Sequence, residues 1–206
     1  FARLNYNYKS KYYLTATARA DGSSNFAANR KWGFFPSAAL KWNIRQEDFL
    51  KYVRWLSQLE LRVSYGRTGN DDIQAYRSLQ AYTSGFSYVF DGVNGPVYTP
   101  SRLANPNLTW ETTDQLNVAL ETAMFSNRLS IQLEGYMSKT KDLLLNVRTM
   151  NSTGYSSRLS NLGKTSNMGV ELSIESKNIE RSKFGWTTNF TISHNSQSVD
   201  DIGNNN

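Results

Sequence analysis

The feature that most constrains this chain is a long alternation of apolar and polar residues between positions 109 and 144. One set of alternate positions is apolar, apart from a threonine: Leu116, Val118, Leu120, Thr122 and Met124, then Leu129, Ile131, Leu133 and Met137. A polar pair, Ser126-Asn127, separates the two halves, which is typical of a β-hairpin. Each arm keeps its alternation for about 9–11 residues, the length that a tilted strand needs to cross a bilayer, whereas globular strands are nearer 5–6. The hairpin therefore indicates transmembrane strands.

The same alternation predicts about eight antiparallel strands, hence an all-β chain. Beyond the hairpin it covers residues 1–8, 12–20, 32–44, 59–65, 167–175 and 186–193. Pro36 conflicts with the third strand because proline cannot donate to a sheet ladder, so we expect a bulge there or a strand that begins after it. Within residues 45–58 the apolar residues take helical spacing, which predicts one short amphipathic helix near 46–56.

The connections and the two faces of the predicted sheet differ systematically. Connections at 9–11, 126–127 and 178–183 are short, whereas those at 22–31, 71–108 and 145–160 are long and are expected to be irregular. The helical connection at 45–58 falls on the otherwise short side. Outer-membrane barrels show this asymmetry, with short periplasmic turns and longer extracellular loops. The strand cores carry no charge on their apolar face, where a midplane Arg or Lys costs about 2–4 kcal/mol. The opposite face carries the candidate lumen-lining residues: Arg19, Lys41, Arg62, Glu121, Glu134, Glu171 and Glu175.

Composition narrows the classes of protein that remain. The mean hydropathy is −0.56, and no apolar run approaches the roughly 18 residues of a membrane helix. A transmembrane barrel is still allowed because only alternate residues of its strands face lipid. The absence of Cys excludes disulfides and thiolate metal sites. The net charge is +6, but Lys and Arg are scattered, so we expect no nucleic-acid binding.

The chain begins inside a strand pattern, which we interpret as an internal piece of a longer protein.

The long connection at 71–108 is the best candidate for a binding surface because it is rich in aromatic, Ser, Gly and Asn residues. Aromatic rings stack on sugars or on peptide side chains, and the small polar residues offer hydrogen bonds. The candidate substrate contacts are Tyr76, Tyr82, Phe86, Tyr88, Phe90 and Tyr98. The alternative is that these rings pack the loop against itself or against a neighbouring loop. Within it, Asp91-Gly92-Val93-Asn94-Gly95 lacks the spacing and terminal Glu of an EF-hand, so we interpret it as a turn.

Catalysis and metal binding find little support. His194 is the only histidine and lies near the end of an alternating strand, where a surface role is the simpler interpretation. Glu134, Glu171 and Glu175 are better explained as polarity of a barrel lumen than as a glycosidase carboxylate pair. We expect no enzyme activity, cofactor or metal site.

Alternation alone does not distinguish a lipid-facing sheet from a soluble β-sandwich, whose strands are also apolar inside and polar outside. A secreted β-sandwich that binds carbohydrate through the aromatic loop is therefore the leading alternative. A surface adhesin or structural barrel is a further one. Strand length, the asymmetry of the connections and aromatic residues near strand ends favour the membrane barrel.

Six segments resemble SusC/RagA-type TonB-dependent outer-membrane transporters and occur in that family's order. They are ARADGSSNFA (18–27), WGFFPSAALKW (32–42), LRVSYGRTGN (61–70), NPNLTWETTDQLNVALE (105–121), NRLSIQLEGYMSKTKDLLL (127–145) and NLGKTSNMGVELSIESKNI (161–179). The resemblance implies a barrel of about 22 strands with an N-terminal plug. This chain, residues 1–206, would supply about eight consecutive strands, and the plug and the barrel-closing strands would lie outside it.

The resemblance also implies a function and partners for the whole protein. It implies TonB-coupled uptake of oligosaccharide, glycan or peptide nutrients across the outer membrane of a Gram-negative, Bacteroidetes-like bacterium. A SusD-like surface lipoprotein would cover the extracellular side, and the TonB complex would act through the plug. Membrane lipid and lipopolysaccharide would surround the wall.

Overall fold

The computed structural model describes residues 1–203, apart from the side chain of Asn151, and consists mainly of β-strands. The twelve strands are β1 (Ala2–Tyr8), β2 (Tyr12–Gly22), β3 (Trp32–Asn43), β4 (Leu56–Asn70), β5 (Ala81–Phe90), β6 (Val93–Arg102), β7 (Glu111–Met124), β8 (Leu129–Lys141), β9 (Leu144–Arg148), β10 (Ser157–Asn161), β11 (Lys164–Arg181) and β12 (Phe184–Asp201). Eight of them form one antiparallel sheet in the order β1-β2-β3-β4-β7-β8-β11-β12. The prediction of an all-β antiparallel sheet of about eight strands is confirmed.

The register keeps polar and apolar residues on separate faces across the whole width of the sheet. One row of paired positions reads Asn7, Tyr13, Lys41, Arg62, Ala119, Glu134, Glu171 and Ser193. The next row reads Tyr8, Tyr12, Trp42, Leu61, Leu120, Leu133, Leu172 and Ile192. Successive side chains of a strand point to opposite faces, so the first row belongs to a polar wall and the second to an apolar face.

The turns at the short-connection end are staggered relative to these rows. The apolar row lies at the β1–β2 turn, where it contains Tyr8 and Tyr12. In β7 it contains Leu120, four residues before the strand ends at Met124. In β11 it contains Leu172, nine residues before the strand ends at Arg181. Such stagger is the register shift that accompanies strand tilt in a barrel.

The apolar face is not covered by any other layer within the described residues. Leu4 is 60% exposed, Val170 is 54% exposed and Ile192 is 56% exposed, although all three belong to apolar rows. In a β-sandwich these side chains would be sealed against a second sheet. Among residues 1–203 no second sheet packs on this face, so the sandwich alternative does not describe the chain. No helix in the described part is long and apolar enough to cross a membrane.

Pro36 is accommodated in a way that neither sequence-based explanation anticipated. Strand β3 begins at Trp32, before the proline, and its pairing with β2 passes through Pro36 opposite Ala18 without a register shift. Its pairing with β4 begins only at Ser37 opposite Gly66. Pro36 therefore lies where β3 is an edge strand on the β4 side, and a missing donor is tolerated at an edge.

The predicted amphipathic helix near 46–56 is wrong. The connection holds two 3-10 turns, Ile44–Gln46 and Asp48–Leu50, and β4 already begins at Leu56. Glu47 between the turns is extended, with φ −76° and ψ 147°, because its carboxylate is held by side chains from the β1–β2 turn, β2 and β3. The Arg45 guanidinium donates to the carbonyls of Leu50 and Leu56 and fixes the rest of the connection.

Two long connections predicted to be irregular contain hairpins, which corrects that expectation. Residues 71–108 contain the β5–β6 hairpin, and residues 145–160 lie mostly within the β9–β10 hairpin. Asp91 and Gly92 turn β5 into β6 with φ 49° and 75°, the left-handed pair that a two-residue hairpin turn requires. The turn predicted at residues 91–95 is therefore confirmed at Asp91-Gly92 only, because residues 93–95 belong to β6, and the strands on either side were missed.

The core lies where the long connections meet the sheet. Phe26, Phe35, Leu108 and Trp110 are buried together, and Ile73, Leu144 and Leu159 pack against them. The Phe35 and Trp110 rings are 5.3 Å apart between centroids in an edge arrangement. This buried aromatic cluster joins all three long connections to strand β3.

Candidate functional site

The polar wall holds a network of four charges on β3, β4 and β7. Lys41 and Arg62 are direct cross-strand neighbours, and each has its own carboxylate partner. Lys41 lies 3.3 Å from Glu60, and Arg62 lies 2.5 Å from Glu121. The Lys41 ammonium also lies 4.5 Å above the Tyr13 ring. The structure thus brings three of the predicted lumen-lining residues, Lys41, Arg62 and Glu121, into one contiguous group.

The acidic members of the predicted set lie on the neighbouring strands. Glu134 and Glu171 face each other directly across β8 and β11. Within the described residues neither they nor Glu175 forms an ion pair, and Gln132 donates to Glu134 at 3.4 Å. Like charges directly opposite each other destabilise a sheet, so an acidic pair here has a local energetic cost. The wall is consequently mixed in sign on β3, β4 and β7 and acidic on β8 and β11.

Arg19 is separated from the other predicted lumen-lining residues. It is on the same face of the sheet, but it lies near the long-connection end of β2, where it pairs with Asp21. A hollow of about 420 Å³ lies over the central part of the wall, lined by Tyr13, Lys41, Arg62, Asn117 and Glu134 among others. The polar wall therefore offers hydrogen-bonding groups and both signs of charge to whatever lies against it.

The aromatic candidates of residues 71–108 do not form a single surface. The register and the bulge at Gly85 place Phe86, Tyr88 and Phe90 on one face of the β5–β6 hairpin, opposite Val97, Gly95 and Val93. Tyr88 and Phe90 stack with ring centroids 6.4 Å apart. Phe86, Tyr88 and Phe90 are each more than 60% exposed. We call this set the aromatic hairpin face.

The remaining aromatic candidates lie elsewhere. Tyr82 and Tyr98 are on the opposite hairpin face, paired with Pro100 and Ser84. The Gln80 amide donates to the hydroxyls of Tyr82 and Tyr155, which ties the hairpin base to the connection that holds β9 and β10. Tyr76 lies outside the hairpin with φ 63°. Of the six candidates, Phe86, Tyr88 and Phe90 share one exposed face of the hairpin, and Tyr82 and Tyr98 share the other.

Glu47 forms a polar anchor at the opposite end of the sheet. Its carboxylate accepts hydrogen bonds from the Lys11 ammonium at 2.9 Å, the Tyr12 hydroxyl at 2.8 Å and the Trp42 indole at 3.1 Å. The hydrogen bond from Lys11, followed by those from Tyr12 and Trp42, lowers the pKa of Glu47 to about 2. The same contact with Glu47 raises the pKa of Lys11. Glu47 therefore ties the β3–β4 connection to the β1–β2 turn.

The residues that brace the long connections were missed by sequence reasoning. The Trp110 indole donates to the Lys31 carbonyl at 3.1 Å. The Asn25 amide donates to the carbonyls of Asp71 and Ile73, and the Asn105 amide donates to that of Leu159. The Asn161 amide donates to the carbonyls of Thr109 and Asp142. Asn was common in these segments, but its partners lie tens of residues away along the chain, so no local pattern could identify them.

Comparisons with known proteins agree with this geometry. TonB-dependent receptor P3 of Formosa agariphila is 45% identical over 95% of this chain, and TonB-dependent receptor SusC of Bacteroides thetaiotaomicron is 36% identical over 97%. The structure of the RagAB peptide importer in its closed-closed state superposes with a TM-score of 0.88, at 29% identity over 98% of this chain.

The chain spans only about a fifth of each of these proteins: 19% of P3, 20% of SusC and 22% of the RagAB chain. The family model described as "TonB dependent receptor-like, beta-barrel" matches residues 1–206. This match covers the whole chain and names a receptor family rather than an enzyme family. The chain therefore belongs to the TonB-dependent receptor β-barrel family, with relatives of the SusC and RagA type.

Proposed function

We propose that this chain forms part of the wall of an outer-membrane importer that takes up oligosaccharides, glycan fragments or peptides in a TonB-coupled manner. The observation that carries the proposal is the separation of the eight-stranded sheet into an uncovered apolar face and a charged polar wall. An apolar face of this kind is stable against lipid, and a wall with both signs of charge suits a lumen filled with water and cargo. The proposal places the apolar face against membrane lipid and lipopolysaccharide.

The whole protein would contain the rest of the barrel and a plug, and it would act with partners. Residues 1–206 cover about a fifth of the relatives' length, and the proposal assigns the remaining barrel strands and the plug to the rest of the protein. The proposed partners are a SusD-like lipoprotein over the extracellular side and the TonB complex acting through the plug. RagAB is described as a peptide importer, which supports including peptides among the cargo classes.

Within this segment, the polar wall is proposed to line the lumen, through Arg19, Lys41, Arg62, Glu121, Glu134, Glu171 and Glu175. The aromatic hairpin face is proposed to contact cargo at the entrance, because stacked aromatic rings bind sugar faces and peptide side chains alike. Tyr76, Tyr82 and Tyr98 lie off this face, so their proposed contribution is secondary.

The function is tested by deleting the full-length gene in its own host and following uptake of labelled peptides and labelled oligosaccharides. We expect uptake of one of the two cargo classes to be lost, and to return with the full-length gene but not in cells without TonB. Uptake of both classes at the parental rate in the deletion strain would contradict the proposal. TonB-independent uptake through the restored protein would contradict its energy coupling.

The aromatic hairpin face is tested with the triple variant F86S/Y88S/F90S in the full-length protein. We expect cargo affinity to fall about tenfold or more, since truncation of a central contact aromatic commonly costs at least 1–2 kcal/mol. The matched control is Y82S/Y98S, which removes aromatic rings from the other face of the same hairpin. The control should lose less affinity than the triple variant. Wild-type affinity in the triple variant would show that the aromatic hairpin face is not the contact surface.

A further inference from the structure

Three lysines form a patch on the apolar side of the sheet, at the end that carries the long connections. The register places Lys141 of β8 directly opposite Lys164 of β11. Lys139 lies two residues before Lys141 on the same face of β8, and all three side chains are exposed. We call Lys139, Lys141 and Lys164 the lysine patch.

The lysine patch begins immediately beyond the last apolar row. On β8 the outward positions run Leu133, Gly135, Met137 and then Lys139, and Met137 pairs with Met168 of β11. The change from apolar to cationic side chains therefore occurs between two consecutive outward positions, Met137 and Lys139. In a membrane protein this is the depth at which acyl chains give way to headgroups.

Only Lys164 of the lysine patch forms an ion pair within the described residues. Two like charges directly opposite each other in a sheet destabilise it, and Lys141 and Lys164 are such a pair. Lys164 lies 3.8 Å from Asp201, whereas neither Lys139 nor Lys141 forms an ion pair within the described residues. Two further carboxylates lie on the neighbouring strands. Asp114, opposite Lys139, is held by Arg67 through bonds of 2.7 and 2.9 Å, and Asp200 accepts hydrogen bonds from Ser166 and Ser198. The ammonium groups of Lys139 and Lys141 are therefore available to an external anion.

We propose that the lysine patch binds the phosphate group of an outer-leaflet glycolipid whose acyl chains lie on the adjoining apolar rows. The inference rests on the proposed function, which places the long connections on the extracellular side. Ammonium groups on flexible stems act as point charges that suit phosphate, and Met137 and Met168 lie beside them to receive acyl chains. The partner is thus a phosphorylated, acylated lipid rather than a soluble anion.

The test uses the delipidated full-length protein in detergent, with native mass spectrometry as the readout. Bisphosphorylated lipid A, its dephosphorylated analogue and inorganic phosphate are added in separate arms. The variant K139Q/K141Q/K164Q is compared with K9Q/K51Q/K183Q, which removes three exposed lysines from the short-connection end. We expect bisphosphorylated lipid A to bind the first variant about a hundredfold more weakly than wild type, since each membrane-surface lysine contributes about fivefold. The control should bind like wild type.

Several outcomes separate this inference from its alternatives. Equal retention of the phosphorylated and dephosphorylated lipids by wild type would overturn it, as would unchanged binding by the patch variant. If inorganic phosphate displaced lipid A when both were present at the same concentration, the site would bind a soluble anion, and the proposal of a lipid ligand would be overturned. Folding is checked by heat-modifiable migration, and the arginine variant K139R/K141R/K164R should restore binding. Failure of the full-length protein to insert into the outer membrane would instead overturn the proposed function.

Discussion

At the scale of single residues, Glu47 shows how one carboxylate decides the conformation of a connection. Three donors from β2, β3 and the β1–β2 turn converge on it. Because the Glu47 carboxylate accepts all three hydrogen bonds, its backbone stays extended between two 3-10 turns. The spacing of the apolar residues around Glu47 favours a helix instead. Tertiary hydrogen bonds therefore override a local pattern at this position.

We predict that Glu47→Gln destabilises the full-length protein in a pH-dependent manner. The pKa of Glu47 falls from 4.5 to about 2 on folding, so the ionised carboxylate stabilises the fold above pH 4.5, and this contribution is lost as the pH falls through 2. In denaturant unfolding, we expect the variant to have a lower free energy of unfolding than wild type at pH 7 and an equal one near pH 2. Glu180→Gln, at an exposed strand end, is the control. A difference in unfolding free energy that is as large at pH 2 as at pH 7 would contradict the stabilising role assigned to the ionised Glu47 carboxylate.

A second residue-scale prediction concerns the glycines beneath the buried aromatic cluster. A Cβ added at Gly69 would overlap the Phe35 ring and come within 3.0 Å of Trp110. Gly69→Ala should therefore displace Phe35 and cost about 1–3 kcal/mol, the usual cost of overpacking. The measurement is the free energy of unfolding, together with proteolysis of the long connections. Gly85→Ala, where no atom lies within 4 Å of the added Cβ, should change neither.

At the scale of elements, the sequence was most informative where one face of a strand is apolar. The strands around Leu61, Leu120, Leu133 and Leu172 alternate, so which residues share a face follows directly from the pattern. Strands β5 and β6 expose both faces and carry aromatic residues on each, so alternation carried no signal there. In the sequence, only the turn residues Asp91 and Gly92 indicated a reversal of the chain there.

The candidate site was predictable to the same extent. The polar face of Lys41, Arg62 and Glu121 followed from alternation, but the pairing of Lys41 with Glu60 and of Arg62 with Glu121 depends on register between strands. Which aromatics share a face depends on the bulge at Gly85, and a single inserted residue leaves no signature in the pattern. Register and bulges are thus the information that the sequence did not disclose.

The β5–β6 hairpin is predicted to be dispensable for folding. Its strands pair only with each other, and the buried cluster of Phe35 and Trp110 lies outside it. Replacing residues 83–99 with a short Gly-Ser turn should leave the unfolding free energy of the full-length barrel within about 0.5 kcal/mol, as is usual for changes away from the core. Cargo uptake should be lost. Loss of heat-modifiable migration by this variant would show that the hairpin supports the barrel.

At the scale of the whole molecule, residues 1–206 alone are predicted to aggregate in water. Strands β1 and β12 leave two unpaired edges, and the apolar face has no cover within the described residues. Open edges and large apolar patches both promote association. Size-exclusion chromatography of the segment, with and without detergent, measures this. A monodisperse monomer without detergent would contradict the prediction.

The staggered turns imply that neighbours in one hydrogen-bonded row sit at different depths of the bilayer. If the turns share one level, Tyr8 lies beside the headgroups while its row-mate Leu120 lies well inside the hydrocarbon. Arginine should then cost about 0–1 kcal/mol at Tyr8 and about 2–4 kcal/mol at Leu120, measured by reversible folding into lipid vesicles. Asn117→Arg, on the polar wall, is the control with little cost. Equal free-energy costs of arginine at Tyr8 and Leu120 would mean that the strands are not tilted. Unequal costs would show that positions at the same depth in the bilayer lie along a line oblique to the hydrogen-bonded rows.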